Sequence, residues 1–479
     1  MRIIGNNPAA DNAEITAVAS GTLPNGKPVI VNADGTVSVV AETAISQALG
    51  SPVEFLPSAR ARIGGGAYDS NANKVLFVYA DYGNSYYFTG VVGTVSGTSI
   101  SFGTPVVIQS EANYGGPFPV TFDPVANKFV VIYTGPSSYA YSKVVTISGT
   151  SLTLGSAVVV DNTVSGHEHA AMCYDSGNDK HVVIIKGYRT RVGTVSGTSI
   201  SWGSRADFET NASTIPSITY DPVAEKVLVV WFNGDGSPSY KGEAVLGTVS
   251  GTSISFGTSI IFVPGGSISG LTSVYSSGSQ QHLAVYDQSA TTGQVIALTV
   301  SGATITFGSA SQFVSGAPSS ISAVDHVVSG RVVIAYLIGS TTYATTGTIS
   351  GSSLSFTTPL SVGDALIGTM AVYDEAEETV AIAHNGAAAT YAGTGIVYQA
   401  PYTSTNLTAE NFIGFANGAA ADGGTARVQI GSGINTAQTG LTAGQQYFVQ
   451  TDGTLGLTAA SPSVIAGTAI SATEIIIKG

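Results

Sequence analysis

The sequence predicts an all-β protein built on a seven-bladed β-propeller. Three observations predict it: composition, an internal repeat, and an unmatched strand at each end of the repeats. Gly numbers 59 of 479 residues, and charged residues make up only 10 %, against usual shares of ~7 % and ~25 %. Helix formers such as Glu, Lys and Arg are scarce, whereas hydrophobic residues reach 43 %, enough for a sizeable core and too many for a disordered chain.

The phrase Gly93-Thr94-Val95-Ser96-Gly97-Thr98-Ser99-Ile100-Ser101-Phe102-Gly103 returns at Gly193 to Gly203 and Gly247 to Gly257, with looser copies at Thr146 to Gly155, Thr299 to Gly308 and Gly347 to Thr357. Before each copy stands an aromatic or apolar residue, usually an Asp, a polar turn and a β run, as in Tyr220-Asp221 before Lys226 to Trp231. The anchors are Asp69, Asp123, Asp175, Asp221, Ser276, Asp325 and Asp374; the 305 residues from first to last hold six steps of about 51. Each unit reads as four antiparallel strands, and that period belongs to a propeller blade.

The seventh unit has an anchor at Asp374, a second strand at Thr379 to His384 and a third at Gly393 to Gln399, but no Ser-Ile-Ser-Phe-Gly strand. An orphan copy lies at Ala41 to Phe55. Residues 41–56 are therefore expected to complete blade seven against Gly393 to Gln399, removing exposed sheet edges. The expected organisation is an N-terminal β-hairpin segment at 1–40, the propeller at 41–405 and a small C-terminal β domain at 406–479. Both flanks carry an Asp-Gly hairpin signal, Asp34-Gly35 and Asp452-Gly453, and the N-terminal hairpin is expected to pack near the C-terminal unit.

The net charge of −13 lacks the basic footprint of nucleic-acid binding. A single cysteine, Cys173, excludes an intrachain disulfide and fits folding in a reducing cytoplasm. No signal-peptide core opens the chain and no run of ~20 apolar residues spans a membrane.

The repeats, together with Asn411 to Ala416, Gly440 to Gly444 and Ala466 to Ile475, resemble repeat-bearing virion proteins of tailed, especially marine, bacteriophages. The resemblance covers nearly the whole chain. It implies a virion structural protein, tail-fibre-like or a surface appendage, made in the host cytoplasm and carried on the particle. It brings no catalytic motif. The alternative is a capsid or tail decoration or adaptor protein that binds only other virion proteins.

The turns between strands one and two, and between three and four, are stereotyped. The loops between two and three, and between four and one, vary and share the opposite face. That variable face is the expected binding surface for a host glycan or protein. Its candidate contacts are Tyr82, Tyr86, Tyr87, Tyr139, Tyr141, Tyr188 and Tyr240, with Tyr343 and Tyr391 beside them, because a flat ring with a hydroxyl suits such contact. No metal or other cofactor is expected. His167-Glu168-His169 reads as a solvated loop, and Gly234-Asp235-Gly236-Ser237 is too short for a calcium loop. The anchor Asp residues recur too regularly for catalysis and read as turn caps. No nucleophile elbow, phosphate loop, zinc motif or sialidase repeat is present, and Glu168 and Asp207 have nothing to mark them as a glycosidase pair. The chain reads as a non-enzyme. The apolar end Ile475-Ile476-Ile477 is expected to pair with another chain, giving a homo-oligomer, with a trimer favoured, or attachment to another virion protein.

Overall fold

The computed structural model describes residues 13–478, apart from 114–115, 164–168, 210–213, 234–240, 267, 367 and 387–391. The described residues are almost all strand and turn, with two short 3-10 turns. They form two compact units, Ser46–Pro401 and the pair Met1–Ile45 with Tyr402–Gly479.

The larger unit repeats one antiparallel meander, an architecture of the β-propeller type. In one copy, Val120–Asp123, Lys128–Thr134, Ala140–Ser148 and Ser151–Leu154 pair in chain order, and Val158–Asp161 continues the outer edge. The fourth strand is thus two pieces, each paired with a different half of the third. Four more sheets follow the same plan. The second strands read as unbroken apolar runs because both their faces are covered: from Val75 to Asp81 every residue of Lys74–Asp81 is buried. The outer strands alternate instead, Ser99–Phe102 burying Ile100 between two exposed serines.

A nine-stranded sheet carries two copies of the plan. Its link is the 17-residue strand Val53–Asp69. Val53, Glu54 and Leu56 pair with Gly395, Thr394 and Gly393, while Ala61 to Asp69 pair with Asp81 to Lys74. Ala48 and Leu49 add Gln399 and Tyr398. The residues just before them do not join. Glu42–Ile45 pairs with Tyr402–Thr405 in the smaller unit, so the boundaries fall at 45/46 and 401/402, rather than at 40/41 and 405/406. Glu42, Thr43 and Ala44 are all exposed and offer no large apolar side chain for a buried edge.

The anchor aspartates cap turns. Asp123 Oδ1 accepts the N–H groups of Val125 and Ala126 at 2.9 and 2.7 Å, and Asp69, Asp221 and Asp374 do the same for their own turns. One anchor differs from the sequence reading. His326, not Asp325, pairs with Arg331 in the register where Asp69 pairs with Lys74. A 3-10 turn, Val327–Ser329, replaces the capped turn there. His326 Nε2–H donates to the Glu378 carbonyl at 3.1 Å, and Nδ1 lies 2.7 Å from Ser329 Oγ.

The near-invariant glycine closing each repeat phrase has a packing cause. A Cβ on Gly103 would stand 2.0 Å from the Thr150 carbonyl oxygen of the next sheet. The same clash arises between Gly155 and Thr198 at 2.0 Å, Gly203 and Thr252 at 1.9 Å, and Gly50 and Thr98 at 1.7 Å. At these four positions the outer edge therefore rests directly on the neighbouring hairpin.

The smaller unit holds two five-stranded sheets. In one, Glu14–Val18, Thr425–Gln429, Phe412–Ala416, Pro28–Val31 and Val37–Val39 lie in that order, interleaving the two ends of the chain. The Asp-Gly turns are built alike: Asp34 and Asp452 each accept the N–H and hydroxyl of the Thr two residues on. Ile475–Ile477 is not a free strand. It pairs on both sides, with Ile434–Asn435 and with Val464–Ala469. Ile475 and Ile477 are buried, which removes the expected reason for association through this segment.

Candidate ligand-binding face

Antiparallel meanders put the one-to-two and three-to-four turns at one end of every sheet and the remaining loops at the other. The described tyrosines among those predicted are at the second end, and none of these seven is freely exposed. Tyr82 and Tyr86 pack ring to ring at 4.5 Å, with the Arg60 guanidinium 4.7 Å above Tyr82. Tyr87 opens the strand Tyr87–Ser96 and is half-buried, as is Tyr139. Tyr141 stacks on buried Tyr133 at 6.1 Å, and Tyr343 repeats this on Tyr336 at 5.8 Å, both pairs 23° from parallel. Tyr188 lies near two guanidinium groups, Arg189 at 5.4 Å and Arg205 at 5.9 Å, and Arg205 pairs with Asp207. Each ring therefore presents one edge or face rather than a whole side chain. Tyr240 and Tyr391 lie outside the described residues. So do His167 and Glu168, leaving His169 alone of its cluster, and the 234–237 turn.

What the structure brings together is a cavity of about 410 Å³. The first strand of every repeat, or the segment leading into it, lines it: Gly64 to Gly66, Pro117 to Val120, His169 to Met172, Ile215 to Ile218, Gly270 to Ser273, Ser320 with Ile321, and Met370. These are the ends of the first strands that adjoin the variable loops. No Asp, Glu, Lys or Arg lines it. Val120, Met172, Ile215, Leu271, Ile321 and Met370 are each only half-buried, an apolar wall left partly open.

The backbone is distorted where it meets this space. The ladder slips between Ile63 and Gly65, between Ile268 and Leu271, and between Ser319 and Ser322, and bulges of this kind re-aim side chains beside sites. His169 and Ser320 hold φ of +53° and +47°, a region costly for residues other than glycine. The hydroxyls are engaged locally: Ser273 Oγ–H donates to Ser217 Oγ at 2.8 Å, and Ser320 Oγ accepts the Gly368 N–H at 3.2 Å. Sequence reasoning missed the cavity because its walls come from segments about fifty residues apart. The run Gly64-Gly65-Gly66 and the pair Pro117 and Pro119 were its traces.

One buried pair of ionisable groups, His282 and Asp221, is structural. His282 Nε2–H donates to Asp221 at 3.3 Å, and Thr219 Oγ lies 2.7 Å from Nδ1. The trio resembles a nucleophile, base and acid, yet His282 is fully buried and Asp221 caps a turn. Burial holds the imidazole below its usual pKa, although the Asp221 hydrogen bond and charge work the other way. The Asp221 carboxyl also lies below the usual range: the His282 hydrogen bond and two backbone N–H groups outweigh its desolvation, the largest single effect. The pair is thus a neutral imidazole donating to a carboxylate. Among the described residues no group of three or more His, Cys, Asp or Glu could hold a metal, and no helix is long and apolar enough to cross a membrane.

No protein-family model matches the chain, and no curated protein matches it. Similar solved structures include AofleA from Arthrobotrys oligospora, with 9 % identity and a TM-score of 0.44 over 71 % of this chain and 94 % of that one. A triple arginine-to-alanine mutant of AofleA gives 10 % identity and a TM-score of 0.46, over 70 % and 93 %.

Proposed function

We propose that the larger unit is a closed seven-bladed propeller and that the chain is a non-enzymatic bacteriophage virion protein. In this reading the end carrying the variable loops binds a host surface glycan or protein. Closure is supported by contacts between the last repeat and the first: the Ala376 N–H donates to Tyr68 Oη at 3.2 Å, and the Gly97 N–H to Glu377 Oε2 at 2.7 Å. The observation that carries the binding reading is the 410 Å³ cavity opening among the variable loops, with half-buried tyrosines at the same end. The virion assignment rests on the repeat phrases and the C-terminal segments quoted above.

The test compares the two ends. Tyr86→Ala with Tyr141→Ala should lower adsorption of the protein to host cells severalfold while leaving the fold intact, each ring contributing of order 1 kcal/mol. Thr98→Ala, Thr198→Ala and Thr252→Ala at the opposite end should leave adsorption unchanged. The reverse pattern assigns binding to the wrong end.

A further inference from the structure

We infer that the central cavity is a binding site for a small, uncharged, predominantly apolar ligand. The inference rests on the reading of the variable-loop end as the binding face, and it names the ligand class for that face's centre. Five observations carry it. The volume, about 410 Å³, lies within the ordinary range of ligand pockets, roughly 300–1,000 Å³. It is well above the ~150 Å³ that suffices for benzene in an apolar cavity. The lining has no acidic or basic side chain other than His169 at its edge, so a charged ligand would lose its hydration with nothing to replace it.

A saccharide needs several convergent donors and acceptors. Here the side-chain hydroxyls are few, Ser217, Thr272, Ser273 and Ser320, and Ser273 already donates to Ser217 while Ser320 accepts the Gly368 N–H. Met172 and Met370 stand on the wall from well-separated sheets, half-buried. Methionine is unbranched and polarisable and adapts to irregular apolar shapes. Finally, three first strands slip register where they meet this space, at Gly64, at Gly270 and before Ser322, and His169 and Ser320 there hold positive φ. A wall built only to pack would have no use for that geometry.

The probe is N-phenyl-1-naphthylamine, a neutral fluorophore that brightens in apolar surroundings. The expected result is saturable binding of one molecule per chain, insensitive to salt and not displaced by millimolar methyl glucoside. Ile321→Trp and Leu271→Trp, which fill the space, should each weaken binding at least tenfold. Met370→Leu should retain it, and Thr252→Ala on the opposite end should match the parent. Thermal melts identify any variant that fails to fold. Signal that survives both tryptophan variants, or no saturable signal in the parent, overturns the assignment. Displacement by the glucoside overturns the apolar class. If the probe does not bind while the tyrosine variants still lose adsorption, this inference falls and the reading of the face stands. If the probe binds as expected while those variants adsorb normally, the cavity assignment stands and the part of Tyr86 and Tyr141 in adsorption falls.

Discussion

His282 shows how this fold handles a titratable group. Desolvation lowers its pKa from 6.5, and His326 and His384 are lowered for the same leading reason. A lowered folded-state pKa means that the unfolded chain binds protons first as pH falls. The stability these groups confer is therefore complete above pH 6.5 and is lost as pH drops through their folded-state values. Desolvated Asp325 and Asp374 are raised and act in the opposite sense, so the comparison must isolate the histidine. Urea melts of the parent from pH 7.5 to 5 should show falling stability. His282→Gln should start about 2 kcal/mol lower and lose less over the same window. Equal slopes would mean that His282 does not titrate on unfolding.

At the scale of the element, the repeat phrase records packing between sheets. Gly103→Ala or Gly155→Ala places a methyl group 2.0 Å from a backbone carbonyl, an overpacking that costs about 1–3 kcal/mol. Gly257 occupies the matching place, but its Cβ would meet only the Leu246 oxygen at 3.8 Å, so Gly257→Ala should be near neutral. Denaturant melts of the three variants check this, and equal losses would refute the packing account. Strand order and turn chemistry were legible because each is written within one repeat, as in the Thr146 to Gly155 copy. The exchange of His326 for Asp325 as anchor was not, because a 3-10 turn shifts the register by one residue. Nor was the pairing of Glu42–Ile45, where short exposed side chains carry no pattern. The described tyrosines lie at the loop end, but the half-buried state of Tyr82, Tyr141, Tyr188 and Tyr343 depends on Tyr133, Tyr336 and the neighbouring arginines, contacts that strand periodicity does not encode.

For the whole molecule, one strand serves two repeats, and Phe55 sits at that joint. It is 6 % exposed and lies in a strand segment paired with Ala392–Gln399. Yet its ring packs on Tyr79 at 5.2 Å and Phe102 at 5.0 Å, both from the first repeat. A ring of sheets closed there would distribute a defect at the joint over every repeat, because each sheet is buttressed on both sides. An open array would lose only its end units, as linear repeats do. Phe55→Ala should cost about 3–5 kcal/mol, and the larger unit should still unfold in a single transition, displaced as a whole. Hydrogen exchange supplies the decisive readout. Protection should fall by a similar factor in Lys128–Thr134 and in Gln281–Gln288, far from the substitution in sequence. If protection falls only in Lys74–Asp81 and Thr379–Asn385, the two ends meet without closing a cooperative ring.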